Sequence, residues 1–186
     1  AMCHVTGGGI PGNLPRVLPE GLVATVDRST WSVPPVISLI AQAGGIADIG
    51  VHPEADPGRT RRLLFDLDSG HGQGVHPGLD AVARVLNLLA LSKVPDDRIE
   101  VVVLLRGGAT PLALQPAAFA RETGHAHADA ALVSALLDAG VRIEVCGQAL
   151  HRNGYAVEDV DPRITVVLAA VLRREALLAD GFVLAR

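Results

Sequence analysis

Ile99-Glu100-Val101-Val102-Val103-Leu104-Leu105 is the stretch that decides the fold. An almost unbroken apolar run of this length, entered from the turn Pro95-Asp96-Asp97, fits a central strand of a parallel sheet covered on both faces. Arg106-Gly107-Gly108-Ala109-Thr110 follows at once, so a glycine loop sits at the carboxyl edge of that strand. Upstream, Arg62-Leu63-Leu64-Phe65-Asp66-Leu67-Asp68 reads as a second strand, followed by a glycine- and histidine-rich loop and by Pro77 in a first helical turn. Leu79, Val82, Ala83, Leu86, Leu89 and Ala90 then recur at helical spacing.

Downstream the same alternation continues. Asp129 to Ala139 reads as a helix with Leu132, Ala135, Leu136 and Ala139 as its inner stripe and Gly140 as its cap. Val141-Arg142-Ile143-Glu144-Val145 is a strand closed by Cys146, and a short helix runs from about Gln148 to Asn153. A strand at Ile164–Leu168, a helix from about Leu172 to Ala179 and a short edge strand at Phe182-Val183-Leu184 complete the series. This order predicts an α/β fold: a mainly parallel five-stranded sheet with helices on both faces, preceded by a Gly/Pro-rich N-terminal segment. Val85, Leu88 and Leu91 broaden the apolar face of the first helix beyond one sheet contact, as a subunit interface would require.

The texture of the chain changes near Gly44-Gly45. Residues 1–46 are rich in glycine and proline, residues 47–59 read as a linker carrying Gly50, Pro53, Pro57 and Gly58, and residues 60–186 hold the strand–helix alternation. With 186 residues and 49% hydrophobic content the chain can bury one core of ordinary size. A net charge of −4, scattered arginines and 3% aromatics give no footing for nucleic acid, either as a basic patch or as a stacking platform. No stretch has the apolar length needed to span a bilayer, so no membrane partner is expected. No basic region followed by an apolar core opens the chain, and the expected compartment is the cytoplasm.

Cys146 carries the most chemistry. It ends a buried strand just where a helix begins, at the edge of an open α/β sheet where ligands collect. A helix start there favours the anionic sulfur, which makes Cys146 a candidate nucleophile or sulfur carrier. The alternative is a small buried hydrophobe that happens to end a strand. Three loops meet at this edge in a parallel sheet: Ser69–His76, Arg106–Thr110 and Cys146–Gln148. Gly107, Gly108, Ala109, Gly147 and Gln148 are the candidate ligand-binding residues, because glycine turns let backbone amides approach an anion. The amides of Gly147 and Gln148 are expected to stabilise the sulfur anion. His71 and His76 are candidate bases or hydrogen-bond donors in the same loop cluster.

Metal and cofactor signals are weak. Cys3 and Cys146 lie far apart and form neither a C-x-x-C pair nor a zinc pattern. His125 and His127 make an isolated H-x-H that reads as a solvated loop, and Asp66 and Asp68 read as strand-end acids. No metal and no cofactor are expected.

The run Phe65-Asp66-Leu67-Asp68, then Pro77 to Asn87, Gly107-Gly108-Ala109-Thr110 and Val145-Cys146-Gly147-Gln148-Ala149-Leu150 resembles the DsrE/DsrF-like family of sulfur-relay proteins. The resemblance covers roughly Ile46 to Arg186, and it is nearest to a branch often exported to the periplasm. It implies a compact α/β fold, a homo-oligomer (often a trimer or hexamer), and a persulfide-bearing cysteine at the position of Cys146 that exchanges sulfur with donor and acceptor proteins. The Cys-Gly-Gln form departs from the surroundings of the cysteine in the established carriers.

Residues 1–46 resemble something else. His4-Val5-Thr6-Gly7-Gly8-Gly9-Ile10-Pro11-Gly12-Asn13-Leu14-Pro15-Arg16-Val17-Leu18-Pro19, with Trp31, Pro34-Pro35 and Ala43-Gly44-Gly45, is similar to part of the C-terminal domain of aminoimidazole ribonucleotide synthetase, the phosphoribosylformylglycinamidine cyclo-ligase. The ATP-binding domain of that enzyme has no counterpart here, so cyclo-ligase activity is not expected. Gly7, Gly9 and Gly12 satisfy a formal G-x-G-x-x-G, but Pro11, Pro15 and Pro19 forbid the helix that would hold a pyrophosphate. A helix is expected at Pro34–Ala43, with Val36, Ile37 and Ile40 apolar. The leading functional expectation is a sulfur-handling protein acting through Cys146. The alternatives are a non-catalytic oligomeric module that binds a small ligand or partner, and an inactive remnant of the synthetase.

Overall fold

The computed structural model of the chain describes residues 56–70 and 74–185. The synthetase-like segment, the helix expected at Pro34–Ala43, most of the linker and His71 lie outside the described residues. Five parallel strands form one sheet in the order β4-β3-β2-β1-β5. They are β1 (Arg61–Leu67), β2 (Ile99–Leu105), β3 (Arg142–Cys146), β4 (Thr165–Val167) and β5 (Val183–Ala185). The helices are α1 (Pro77–Leu91), α2 (Pro116–Thr123), α3 (Ala130–Asp138), α4 (Gly147–Asn153) and α5 (Ala170–Ala179). The α/β architecture with a five-stranded parallel sheet is therefore the one expected, and β2 is central as its apolar run requires.

Strand alternation divides the core in two. Phe65, Val101, Val103, Leu105, Ile143 and Val145 face one side, where they meet Leu79, Val82 and Ala83 of α1, Ala118 of α2, and Leu132, Val133 and Leu136 of α3. Register makes this continuous, with Phe65 beside Val103 and Val103 beside Ile143. The opposite side is thinner. Leu64, Val102, Leu104 and Cys146 meet Ala170 and Leu177 of α5, with Phe182 beyond it.

Because this second face buries so little apolar area, charge pairs complete the seating of α5. Glu144 and Asp66 stand on the α5 side of β3 and β1, as the two-residue strand period dictates. Arg173 grips the buried Glu144 carboxylate with two bonds, at 2.6 and 2.7 Å. Arg174 reaches Asp66 Oδ2 at 2.9 Å, while Arg106 holds the same carboxylate from the end of β2 at 2.7 Å. Forked guanidinium–carboxylate geometry of this kind fixes orientation as well as adding energy.

Some elements differ from the sequence reading. Gly107–Ala113 is a 3₁₀ segment and Pro116–Thr123 a full helix, where no element was expected. The last helix begins at Ala170, two residues before Leu172. His127 is not on a solvated loop. Its ring stacks on Phe119 with centroids 4.2 Å apart, and Nε2 lies 3.3 Å from the Leu112 carbonyl. That contact requires the proton on Nε2, which leaves the buried Nδ1 without a partner among the described residues. Val85 packs against the larger core, whereas Leu88 and Leu91 remain 44% and 46% exposed. No helix among the described residues is long and apolar enough to cross a membrane.

Two outcomes follow from these contacts. Arg173→Leu strands a buried carboxylate and should lower unfolding free energy by about 3 kcal/mol, whereas the double change Glu144→Leu with Arg173→Leu should recover most of that loss. Urea unfolding of the three proteins compares them directly. Burial lowers the His127 imidazole below its ordinary value, so the unfolded chain takes the proton first as pH falls. Stability contributed by neutral His127 is complete above the ordinary imidazole range and is lost as pH falls through the lower, folded value. The urea midpoint of wild type should therefore drop more than that of His127→Phe between about pH 7.5 and pH 5.

Candidate functional site

Cys146 lies at the carboxyl end of β3 and is 6% exposed. Its residue forms part of the wall of a cleft of about 290 Å³, together with Arg106 and Gly107 after β2, Gln148, Ala149, Arg152 and Asn153 of α4, and Ala169, Ala170 and Val171 at the start of α5. The side chain is thus well packed in the apolar cluster under α5, and the cleft opens beside the residue. Its sulfur accepts a hydrogen bond from the Ala170 amide at 3.3 Å. The first-turn amides of α5 have no partner within their own helix, so one of them is free to point at the sulfur.

This corrects the expected source of amide donors. Cys146 caps α4, yet its side chain makes no capping bond to that helix. The strand period turns the sulfur toward the α5 face, as it does Glu144, while α4 continues beyond the edge. Gly147 instead lies against β4, where an added Cβ would sit 3.0 Å from the Val167 carbonyl oxygen.

The glycine loop after β2 also has a different task from the one expected. Gly107 takes a left-handed φ of 53°, and a Cβ there would come within 2.7 Å of the Asp68 carbonyl oxygen. A Cβ on Gly108 would meet the Gly70 nitrogen at 2.5 Å. These glycines let the loops after β1 and β2 touch backbone to backbone. The Gly108 amide donates to Asp68 at 2.8 Å and the Ala109 amide to Arg106 at 2.9 Å, so both are occupied within the loops. Neither Gly108 nor Ala109 is among the residues lining the cleft, whereas Gly107 is.

His76 is a buried cap for α1. Its Nδ1 accepts the Gly78 amide at 3.1 Å, which puts the ring proton on Nε2, 2.8 Å from the Ser69 carbonyl. Its own amide donates to the buried Asp129 at 2.8 Å. Both ring nitrogens are therefore engaged in holding the loop after β1. Of the residues singled out in the sequence, the cleft gathers Gly107, Cys146 and Gln148.

Electrostatically the cleft is cationic. Arg106 and Arg152 line it, and an adjoining cleft of about 230 Å³ shares Arg106, Ala170 and Val171 and adds Arg174. The hydrogen bond it donates to Asp66 raises the Arg106 guanidinium above its ordinary range against the opposing effect of burial, with Asp68 adding further attraction. Asp66 is held by two arginines, so its carboxylate is ill placed to serve a cation. No group of three or more His, Cys, Asp or Glu side chains suited to a metal ion occurs among the described residues. Arg152 and Arg174 went unremarked in the sequence. The four-residue step from Gln148 to Arg152 would have placed them on one helical face, but the crossing of α5 over the sheet had no local signal.

No family model matches the chain. Curated relatives are phosphoribosylformylglycinamidine cyclo-ligases: those of Burkholderia vietnamiensis and Burkholderia ambifaria are each 47% identical over 51 residues, which is 27% of this chain. The match spans only 14% of the length of those enzymes, so the similarity is to a fragment of them. Among solved structures, a protein of unknown function, MTH1491 from Methanobacterium thermoautotrophicum, aligns with a TM-score of 0.47 and 19% identity, over 68% of this chain and 98% of its own.

Proposed function

We propose that the α/β domain is a sulfur-handling protein in which Cys146 accepts a sulfane sulfur and passes it to a partner. The observation that carries this reading is a cysteine at the carboxyl edge of a parallel sheet, bordering a cleft and accepting an amide hydrogen bond from the start of a ten-residue helix. The amide donor is oriented at the sulfur, and it is the thiolate that attacks. In the step itself, the Cys146 thiolate attacks the terminal sulfur of a donor persulfide. The S–S bond of the donor breaks, its thiolate leaves, and Cys146 becomes the persulfide, with no net oxidation. Return of that sulfur to an acceptor thiolate is the same exchange reversed. Gly107 and Gln148 shape the cleft wall, and the resemblance to the sulfur-relay family agrees with this chemistry. A homo-oligomer, with donor and acceptor proteins as partners, belongs to the same reading.

A second reading is a non-catalytic module that uses this edge to bind another chain. Exposed apolar residues favour it: Leu168 is 73% exposed, Val171 63% and Leu172 57%, with Val171 lining the cleft and the other two next to lining residues in sequence. The synthetase-like stretch supplies no catalytic site to either reading, and cyclo-ligase turnover is not part of the proposal.

Incubation with an organic persulfide followed by intact-mass measurement tests the first reading. In a Cys3→Ser background the protein should gain one sulfur atom, and adding Cys146→Ser should abolish the gain. No gain in the Cys3→Ser background, or equal gain once Cys146→Ser is added, overturns the sulfur-carrier reading and leaves the binding module.

A further inference from the structure

The charge around the cleft restricts what the site would take. Three arginines, Arg106, Arg152 and Arg174, line the two adjoining clefts, and the carboxylates paired with them among the described residues are Asp66 and Asp68. Among these described residues one positive charge is left over, in a chain whose formal net charge is −4. The surplus has a definite owner. Arg106 is tied to Asp66 and Asp68, and Arg174 to Asp66, whereas Arg152 has no ion-pair partner among the described residues. Arg152 also sits one helical turn from Gln148, and both residues line the same cleft.

We infer that the cleft takes an anionic sulfur donor: a compound whose sulfane sulfur is bonded to an oxyanion leaving group, with thiosulfate as the smallest member. This inference rests on Cys146 acting as the sulfur acceptor. Arg152 is the specificity-determining residue, because its free guanidinium can bind the oxygens of the donor through charge-assisted hydrogen bonds. The reaction balances without an added oxidant or reductant. The Cys146 thiolate attacks the outer sulfur of thiosulfate, the S–S bond breaks, sulfite departs with the bonding pair, and Cys146 carries the persulfide. The leaving group retains its negative charge, and Arg152 is placed to hold it.

The test compares thiosulfate with a neutral alkyl persulfide on the full chain, reading sulfur gain by intact mass and, for thiosulfate, sulfite release. Wild type should load from both. Arg152→Gln, an exposed substitution checked by circular dichroism, should load from thiosulfate about tenfold more slowly, the scale of one charge-assisted hydrogen bond. Its rate with the neutral persulfide should fall much less, so the ratio of the two rates is the readout. Benzenethiosulfonate, which offers the same sulfane sulfur on an organic sulfonyl group, separates inorganic from organic donors by its rate relative to thiosulfate, and an Arg152-dependent rate with either one supports the inference. Loading of wild type from the neutral persulfide but from neither anion overturns the anionic-donor inference while sparing the carrier reading. Equal rates for wild type and Arg152→Gln with both anions also overturn it. Failure of every donor removes the carrier reading itself.

Discussion

Two carboxylates on the thin face of the sheet, Asp66 and Glu144, govern the rest of this structure. Each is nearly inaccessible to water, and an unpaired charge in such a place is prohibitively costly. Arginines must come to them, and the ones that come are consecutive residues of α5 together with Arg106 at the end of β2. The helix is thereby fixed in rotation and in height over the sheet. With that placement its first amide meets the sulfur of Cys146, and the small apolar patch of Ala170 and Leu177 lands on Leu64, Val102 and Leu104. Burial alone would seat this helix weakly, since two residues of its ten are buried.

The two faces of the sheet accordingly solve different problems. The face under α1, α2 and α3 is a conventional apolar interior, with large side chains from three helices meeting alternate strand residues. Backbone meets backbone at the rim of the sheet, where the loops after β1 and β2 touch through Gly70, Gly107 and Gly108. The face under α5 combines charge, a single thiol and a cleft. Chemistry is more readily built there, because polar groups are already buried and oriented by their partners.

Much of the fold was legible because it depends on local pattern. The apolar run at β2, Pro77 opening α1 and Gly140 ending α3 all announce themselves through propensity and spacing. The site was legible only in part. Cys146 could be placed at an edge from its strand, and the cleft does gather Gly107 and Gln148 beside it. The donor to its sulfur could not be foreseen, because Ala170 is 24 residues away and arrives by a crossover whose path is set by nonlocal charge pairing. Glycine misled for a related reason. At Gly108 the need is for another backbone, a neighbour that sequence spacing does not reveal. His76 likewise carries the chemistry of a base but stands as a helix cap, which only its hydrogen-bond partners disclose.

Val171 belongs at once to the wall of the cleft and to the bare apolar strip around Leu168 and Leu172. A chain docked on that strip would also cover part of the cleft that Cys146 lines. Occupancy of that chamber and docking are then linked equilibria, and linkage works equally in both directions. Whatever the chamber holds would tune how tightly a neighbour clings, and the neighbour would tune how long the cargo stays.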